Sequence, residues 1–351
     1  MTYLLALDQG TSSSRSILFD ARGGVVAVAQ RELPQIYPQP GWVEHDPMRI
    51  WHDQLATAQQ VLQQAGVRAE QLQAVGITNQ RETTVLWDRR TGEPVHPAIV
   101  WQDRRAETVC VRWRAQGLAE RIAATTGLVI DAYFSAPKLV WLLEHVPGLR
   151  VRAERGELAF GTIDSWLLWQ LTGGQVHATD VSNASRTQLF DIHHNRWSES
   201  LLQAMDIPQA LLPQVHPSAH RFGQVRAELL GAAVPIGGMA GDQQSSLVGQ
   251  AGFAPGLAKN TYGTGCFMLM PVGHDFGLSA HGLVTTSAAQ PDPQVALALE
   301  GSVFVGGAVV QWLRDGLGLI RCSDEIEALA RSVDDSGGVC LVPAFTGLAY
   351  G

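Results

Sequence analysis

Hydrophobic and polar positions change period several times along the chain, and each change predicts an element. Residues 4–7 form a short apolar run that stops at Asp8, and residues 16–19 form another. Between them lies a turn of Gly and hydroxyl residues, 10–14, then Arg15, so LLALDQGTSSSRSILFD reads as a β-hairpin. A third strand is predicted over 25–31, ahead of a Pro-rich loop at 34–47. From 48 to 65 the period lengthens, and Ile50, Trp51, Leu55, Val61 and Leu62 fall on one helical face. Residues 72–78 read as a buried strand running directly into Asn79, Gln80, Arg81 and Glu82. Further strands are predicted at 83–87, 97–101 and 156–160, and helices at 105–116, 118–125, 136–145 and 164–171.

The second half repeats the opening theme. An apolar, Gly-rich stretch at 234–241 leads into Asp242, and a helix is predicted at 243–250. Strands follow at 259–262 and 266–270, around the tip Gly263-Thr264-Gly265. This second hairpin echoes the first in shape, although the letters are too different to establish a repeat. The chain has 351 residues, which exceeds a single compact core, so two domains are expected, 1–250 and 251–351.

Composition narrows the class. A hydrophobic content of 46% describes a globular protein with ample core. The charge balance of 25 Lys and Arg against 33 Asp and Glu, net −8, argues against a nucleic-acid or membrane-surface binder, which needs a basic face. It still permits a local basic site for an anionic nucleotide. Cys110, Cys266, Cys322 and Cys340 have no CxxC spacing and read as reduced thiols of a cytoplasmic protein. No basic leader precedes the first apolar run, and no run approaches the ~20 apolar residues of a membrane span. The best candidate, 301–313, is Gly-rich and interrupted by Gln311.

Several polar clusters follow predicted strands, the usual position of active sites in α/β proteins. The first hairpin tip can aim backbone N–H groups, hydroxyls and the Arg15 guanidinium at one point, which suits phosphate oxygens. Asp8 sits where a metal bound to those phosphates could be held, directly or through water. An ordinary polar turn fits the same letters. The adjacent Arg81 and Glu82 offer donors and acceptors for the hydroxyls of a small polyol, or a surface ion pair. Asp242, at a helix start, fits either an N-cap or a general base whose pKa the helix terminus keeps low. The tip 262–265 is a second phosphate candidate or a plain hairpin turn.

Familiar signatures are missing: GxxxxGK followed by Ser or Thr, GxGxxG after a strand, and HExxH do not occur. His193-His194 is a sequence-adjacent pair whose rings point apart, so no histidine metal site is expected. Tryptophans read as core by default, except Trp101, which ends a strand beside the charged loop 102–105.

Taken together, the strings ALDQGTSSSR, QIYPQPGWVEHDP, GITNQRET, IVWQDRR, TGLVIDAYFSAPK, DVSNASRTQLFDI, AGDQQSSLVGQ, KNTYGTGCFMLM, LEGSVFVGGAVVQWLRD and VPAFTGLA resemble the glycerol kinases of the FGGY carbohydrate kinase family. They occur in the family's order over almost the whole chain. The resemblance implies an α/β, actin-like (ribonuclease H-like) two-domain kinase fold closing around a cleft. It implies that Arg81, Glu82, Tyr133, Asp242 and Gln243 hold glycerol, with Trp101 and Phe267 against its carbon face. Asp242 is then the catalytic base. Thr11, Ser12, Ser13 and Arg15 contact the phosphates of ATP, as does Thr264, while Gly307 and Gln311 approach the nucleotide. Mg²⁺ accompanies ATP, and a homodimer or homotetramer is the family's habit.

Two departures qualify the resemblance. Family members continue past this chain's last residue, so the second domain is expected to be incomplete, and the alternative reading is a fragment that binds polyol without effective ATP binding. The segment RAELLGAAVP has no Arg or Lys between Glu228 and Pro235, where the family's fructose-bisphosphate site uses a Gly/Arg loop. That regulation is not expected.

Overall fold

Alternation in the first thirty residues builds an antiparallel meander of β1 (Tyr3–Gln9), β2 (Ser13–Asp20) and β3 (Val25–Glu32). The computed structural model describes residues 2–263, 265–279 and 281–342. Leu5, Leu7 and Leu18 bury one face of the meander. The turn is tighter than its sequence predicted, so Asp8 and Arg15 lie on strands, directly opposite each other.

The Pro-rich loop contains a short strand, β4 (Glu44–His45), and leads into α1 (Pro47–Ala65). The Asp46 side chain accepts from Met48 N at 2.8 Å, Pro47 opens the helix, and left-handed Gly66 closes it. The helix lays Ile50, Trp51, Ala58 and Val61 on the meander. Next come β5 (Leu72–Asn79), β6 (Val85–Asp88), β7 (Ala98–Ile99), α2 (Glu107–Ala115), α3 (Ala119–Thr126), α4 (Ser135–His145) and α5 (Leu149–Glu154). Helices α2 and α4 form a second core with Leu86, Ile99, Trp113, Leu139 and Phe160.

After β8 (Leu158–Gly161), α6 (Ile163–Thr172) returns Trp166 and Leu167 to the first core. Then follow β9 (Ala178–Asp180), α7 (Val181–Ala184), β10 (Phe190–Asp191), β11 (Arg196–Trp197), α8 (Glu199–Ala204), β12 (Gln214–His216), β13 (Gly223–Val225) and α9 (Ala227–Leu230). The Gly-rich approach to Asp242 is itself a strand, β14 (Val234–Gly241). The main sheet has six strands in the order β13-β14-β5-β1-β2-β3.

Helix α10 (Asp242–Gly249) leads to an antiparallel sheet of β15 (Lys259–Tyr262), β16 (Cys266–Gly273), β17 (Val284–Ser287) and β18 (Leu297–Val303), ordered β15-β16-β18-β17. Beyond it lie α11 (Ala308–Gln311), a π-helical turn at Trp312–Gly316, and α12 (Glu325–Ala330).

Strand β17 of the second sheet packs closely on the end of α3 and on α10. Thr285 N donates to Gly127 O at 2.9 Å, and Gln244 Nε2 donates to Ser287 O at 3.1 Å. Gly127 has φ +73, and a Cβ there would lie 2.4 Å from Thr285 O, so only glycine fits. On the main sheet, β1, β5 and β14 run parallel, with Gln9 level with Asn79 and Asn79 level with Gly241. Their three exit loops therefore leave from one edge, where doubly wound sheets bind ligands.

Candidate active site

The exit loops enclose a cavity of about 190 Å³. Thr11 and Ser12 come from the first loop, Gln80, Arg81 and Glu82 from the second, Asp242 and Gln243 from the third. Trp101, Tyr133 and Phe267 supply an aromatic wall, and Thr261, Gly263 and Gly265 come from the second hairpin. Sequence reasoning thus placed nine residues that the fold brings to one cavity: Thr11, Ser12, Arg81, Glu82, Trp101, Tyr133, Asp242, Gln243 and Phe267.

The polar side is a buried ionic network. Arg81 NH1 and NH2 donate to the two carboxylate oxygens of Glu300 at 2.5 and 2.9 Å. Arg186 bridges the same Glu300 at 2.9 Å and Glu82 Oε1 at 2.6 Å. Burial opposes the charge on Glu300, but Arg186 and Arg81 outweigh it and bring the pKa down to about 2. Arg81 is left with its Nε edge toward Asp242, 3.4 Å from Oδ1. It is no surface ion pair: Arg81 and Glu82 are 3% and 1% exposed.

Glu82 adopts φ +61, a left-handed backbone that costs a non-Gly residue on the order of 1–3 kcal/mol. Its surroundings hold it there. Ser135 Oγ and Thr84 Oγ1 donate to its carbonyl at 3.1 and 3.2 Å, and Arg186 grips its carboxylate. Helix α7 steadies the loops from behind. Asn79 and Asn183 exchange amide hydrogen bonds at 2.9 and 3.1 Å, and Gly241 N donates to Ser182 Oγ at 2.9 Å.

Asp242 corrects two expectations. It is the first residue of α10, with Gly241 in the cap position, and its Oδ1 accepts from Gln243 N at 2.7 Å. Its pKa is not low. Desolvation by the surrounding walls raises it to about 6, against the opposite pull of Arg81 and the Gln243 hydrogen bonds. The helix terminus is a weaker influence than the loss of water. A third of the side chain stays open to the cavity, so the carboxylate can reach a bound molecule.

The apolar wall is an edge-to-face cluster. Trp101 meets Tyr133 at 5.7 Å and Phe267 at 6.0 Å between ring centroids, near perpendicular in each case. Tyr133 also packs on Phe304 at 4.9 Å, and burial raises its phenol pKa, so it stays a hydrogen-bond donor. The buried Lys138 holds the wall by donating to Tyr133 O and to Phe134 O, at 3.0 Å for the latter, and burial brings its pKa down to about 8.

The remaining candidates lie farther out. Arg15 is engaged with Asp8 through two hydrogen bonds, Nε at 3.0 Å, and neither residue lines the cavity. Ser13 serves the turn through its carbonyl, which accepts from Gly10 N at 2.9 Å. Gly307 N donates to Gly263 O at 2.8 Å, which sets α11 against the second hairpin tip, and Gln311 is exposed. Thr264 lies outside the described residues, as do 343–351.

Three residues escaped the sequence reading. Glu300 sits within the apolar strand LALEGSV, and a lone charge in such a run was the available signal. Arg186 is fully buried, with one nitrogen, NH1, unpartnered. Lys259 reaches from β15 to Gln243 Oε1 at 2.5 Å and Thr261 Oγ1 at 2.9 Å, and burial lowers its pKa to about 8. Arg186 carried no local signal, because its partners Glu82 and Glu300 lie 104 and 114 positions away, and the reach of Lys259 to Gln243 depends on how α10 packs against β15. Among the described residues, no cluster of three or more His, Cys, Asp or Glu side chains could hold a metal, and no helix is long and apolar enough to cross a membrane.

Comparison with known proteins decides the family. The N-terminal domain of the FGGY family of carbohydrate kinases matches residues 3–249. The chain belongs to that family. It is 68% identical over 348 residues to a glycerol kinase of Albidiferax ferrireducens, covering 99% of this chain and 70% of that protein. A glycerol kinase of Polaromonas naphthalenivorans is 69% identical with the same coverage. The crystal structure of Plasmodium falciparum glycerol kinase with ADP superposes with a TM-score of 0.89 at 36% identity, over 100% of this chain and 70% of that one. Xylulose kinase from Rhodospirillum rubrum, at 24% identity and a TM-score of 0.83, shares the fold. This FGGY member therefore has the actin-like two-domain architecture and spans about 70% of the length of those glycerol kinases.

Proposed function

We propose that the chain phosphorylates glycerol from ATP, giving ADP and sn-glycerol 3-phosphate. The observation that carries this reading is the Asp242 carboxylate opening on a cavity that Arg81, Glu82 and the aromatic wall make amphipathic. With Thr11 and Ser12 in its lining toward the phosphates, a cavity of about 190 Å³ that opens to solvent gives room beside Asp242 to a three-carbon triol. Its carbon face packs on Trp101 and Phe267, and its hydroxyls meet Arg81, Glu82, Tyr133 and Gln243. The relatives named glycerol kinase, and the ADP in the Plasmodium enzyme, support the same pair of substrates.

The chemistry follows from position. Asp242 accepts the proton of the attacking hydroxyl as its oxygen meets the γ-phosphorus. A pKa of about 6 leaves it ionised near neutrality yet basic enough to take a proton. Thr11 and Ser12, at the cavity rim, receive the phosphates, and Arg15 flanks them from the strand. Mg²⁺ enters with ATP and neutralises phosphate charge. The Asp8 carboxylate is paired with Arg15 through Oδ2, and its Oδ1 would face the metal, directly or through water. Residues 1–250 then carry the polyol and the phosphate turn, and 251–351 the nucleotide side. A cytoplasmic setting supplies the ATP.

The test is ADP release coupled to glycerol addition on this chain. A second reading, polyol binding without effective nucleotide binding, draws on the exposure of Tyr262 at 82% and Val303 at 55% beside the second hairpin. Calorimetry that detects glycerol but neither ADP nor ATP would favour it.

A further inference from the structure

His45 takes no part in the reading above, yet it is completely buried between the two loops that matter most. It sits on β4, and its ring closes a circle of hydrogen bonds. Trp101 Nε1 donates to Thr11 Oγ1 at 2.8 Å, and Trp101 N donates to Thr83 Oγ1 at 3.3 Å. Thr83 Oγ1 passes its own proton to Gln80 Oε1 at 2.8 Å. Gln80 Nε2 lies 3.3 Å from His45 Nδ1, and His45 Nε2 lies 2.8 Å from Gln35 Oε1. Gln35 Nε2 donates to Thr11 O at 2.8 Å and Leu33 O at 3.0 Å, which returns the circle to Thr11.

The protons in this circle are fixed by their partners. Gln80 Oε1 accepts from Thr83, so Gln80 Nε2 faces His45 as a donor. Gln35 Nε2 faces two carbonyls, so Gln35 Oε1 faces His45 as an acceptor. The imidazole must accept at Nδ1 and donate at Nε2, which is the neutral Nε2–H tautomer. A proton on Nδ1 would set two donors face to face. Burial agrees, pushing the imidazole pKa down to about 4.

We propose that His45 is a positioning residue for phosphoryl transfer, fixing how far the Thr11 turn stands from the cavity wall at Trp101 and the Gln80–Glu82 loop. This rests on the kinase reading. The distance matters because the acceptor oxygen and the γ-phosphorus must meet within a narrow range, and a 1 Å error costs on the order of 100-fold in rate. Of the groups assigned to glycerol, Trp101 belongs to the circle, whereas Arg81, Tyr133, Asp242, Gln243 and Phe267 are not members of it, so most of the glycerol contacts do not run through His45.

The variants His45→Ala and His45→Gln test this. Alanine opens the circle, and kcat should fall about 10- to 100-fold with the glycerol KM within about threefold. Glutamine carries one donor and one acceptor, as the neutral ring does, and should restore kcat to within about threefold of wild type. A folded His45→Ala protein with wild-type kcat overturns the proposal, as does a glutamine variant no better than alanine. If His45→Ala does not fold, Gln35→Ala breaks the circle at a half-buried position, and unchanged kcat there overturns it equally. Imidazole ¹⁵N spectra of the wild type at pH 7 should show a neutral ring protonated at Nε2; protonation at Nδ1 refutes the circle whether or not glycerol turns over. A wild-type protein that lacks turnover but shows the Nε2–H tautomer would indict the kinase reading instead.

Discussion

Asp242→Asn removes the base and, of the hydrogen bonds from its neighbours, gives up only that of Gln243 Nε2 at 3.1 Å. In the wild type, Arg81 is held chiefly by Glu300, at 2.5 and 2.9 Å, and only weakly by Asp242, at 3.4 Å. Removing the Asp242 charge leaves the guanidinium in place, so the glycerol KM should change by no more than about threefold. The asparagine Oδ1 still accepts from Gln243 N, so α10 keeps its first turn and the Tm should move little. What goes is the proton acceptor, worth about 100- to 10,000-fold in kcat, or roughly 2.7–5.5 kcal/mol of barrier. The pH profile sharpens the case. With a pKa of about 6, Asp242 is about nine-tenths ionised at pH 7 and about one-tenth at pH 5. Wild-type kcat/KM for glycerol should therefore fall about tenfold between pH 7 and pH 5, with protonation switching the base off on the acid side. Coupled ADP release at saturating ATP, across pH 5–8, measures both. The variant should lose that acid limb along with most of its rate. A variant within about threefold of wild type, or one that keeps the limb near pH 6, refutes the assignment.

Other outcomes follow from the network and the sheet contact. Arg81→Ala should raise the glycerol KM at least tenfold with the ATP KM within about threefold; equal weakening would point to a structural role. Glu300→Gln leaves Arg81 and Arg186 buried without their shared counter-ion, and urea denaturation should register a loss of about 3–5 kcal/mol; a loss under about 1 kcal/mol would show that water already compensates the pair. Gly127→Ala places a methyl 2.4 Å from Thr285 O on a backbone of φ +73, and should destabilise by about 2 kcal/mol or more; an unchanged Tm would mean that β17 can move away freely.

Much of the fold was legible because its signals are local. Alternation marked the meander, the 3.6-residue period marked α1, and polar tips after apolar runs marked the loops of the site. Boundaries slipped where two-residue strands such as β4 and β7 are made by pairing and not by propensity. The Gly-rich 234–241 stretch became a strand because β5 and β13 flank it and complete its hydrogen bonds.

The sequence by itself determined which residues could do chemistry: a carboxylate at a helix start, an Arg-Glu pair after a buried strand, and a Trp at a strand end. Only the tertiary structure decided their states. The Asp242 pKa rises because walls from several segments exclude water, a sum that no local motif encodes. Arg81 is aimed by Glu300 from the other sheet, 219 positions away, and His45 is held to one tautomer by Gln35 and Gln80. Charge, tautomer and aim depend on partners brought together by folding, and that is why they could not be read from neighbouring letters.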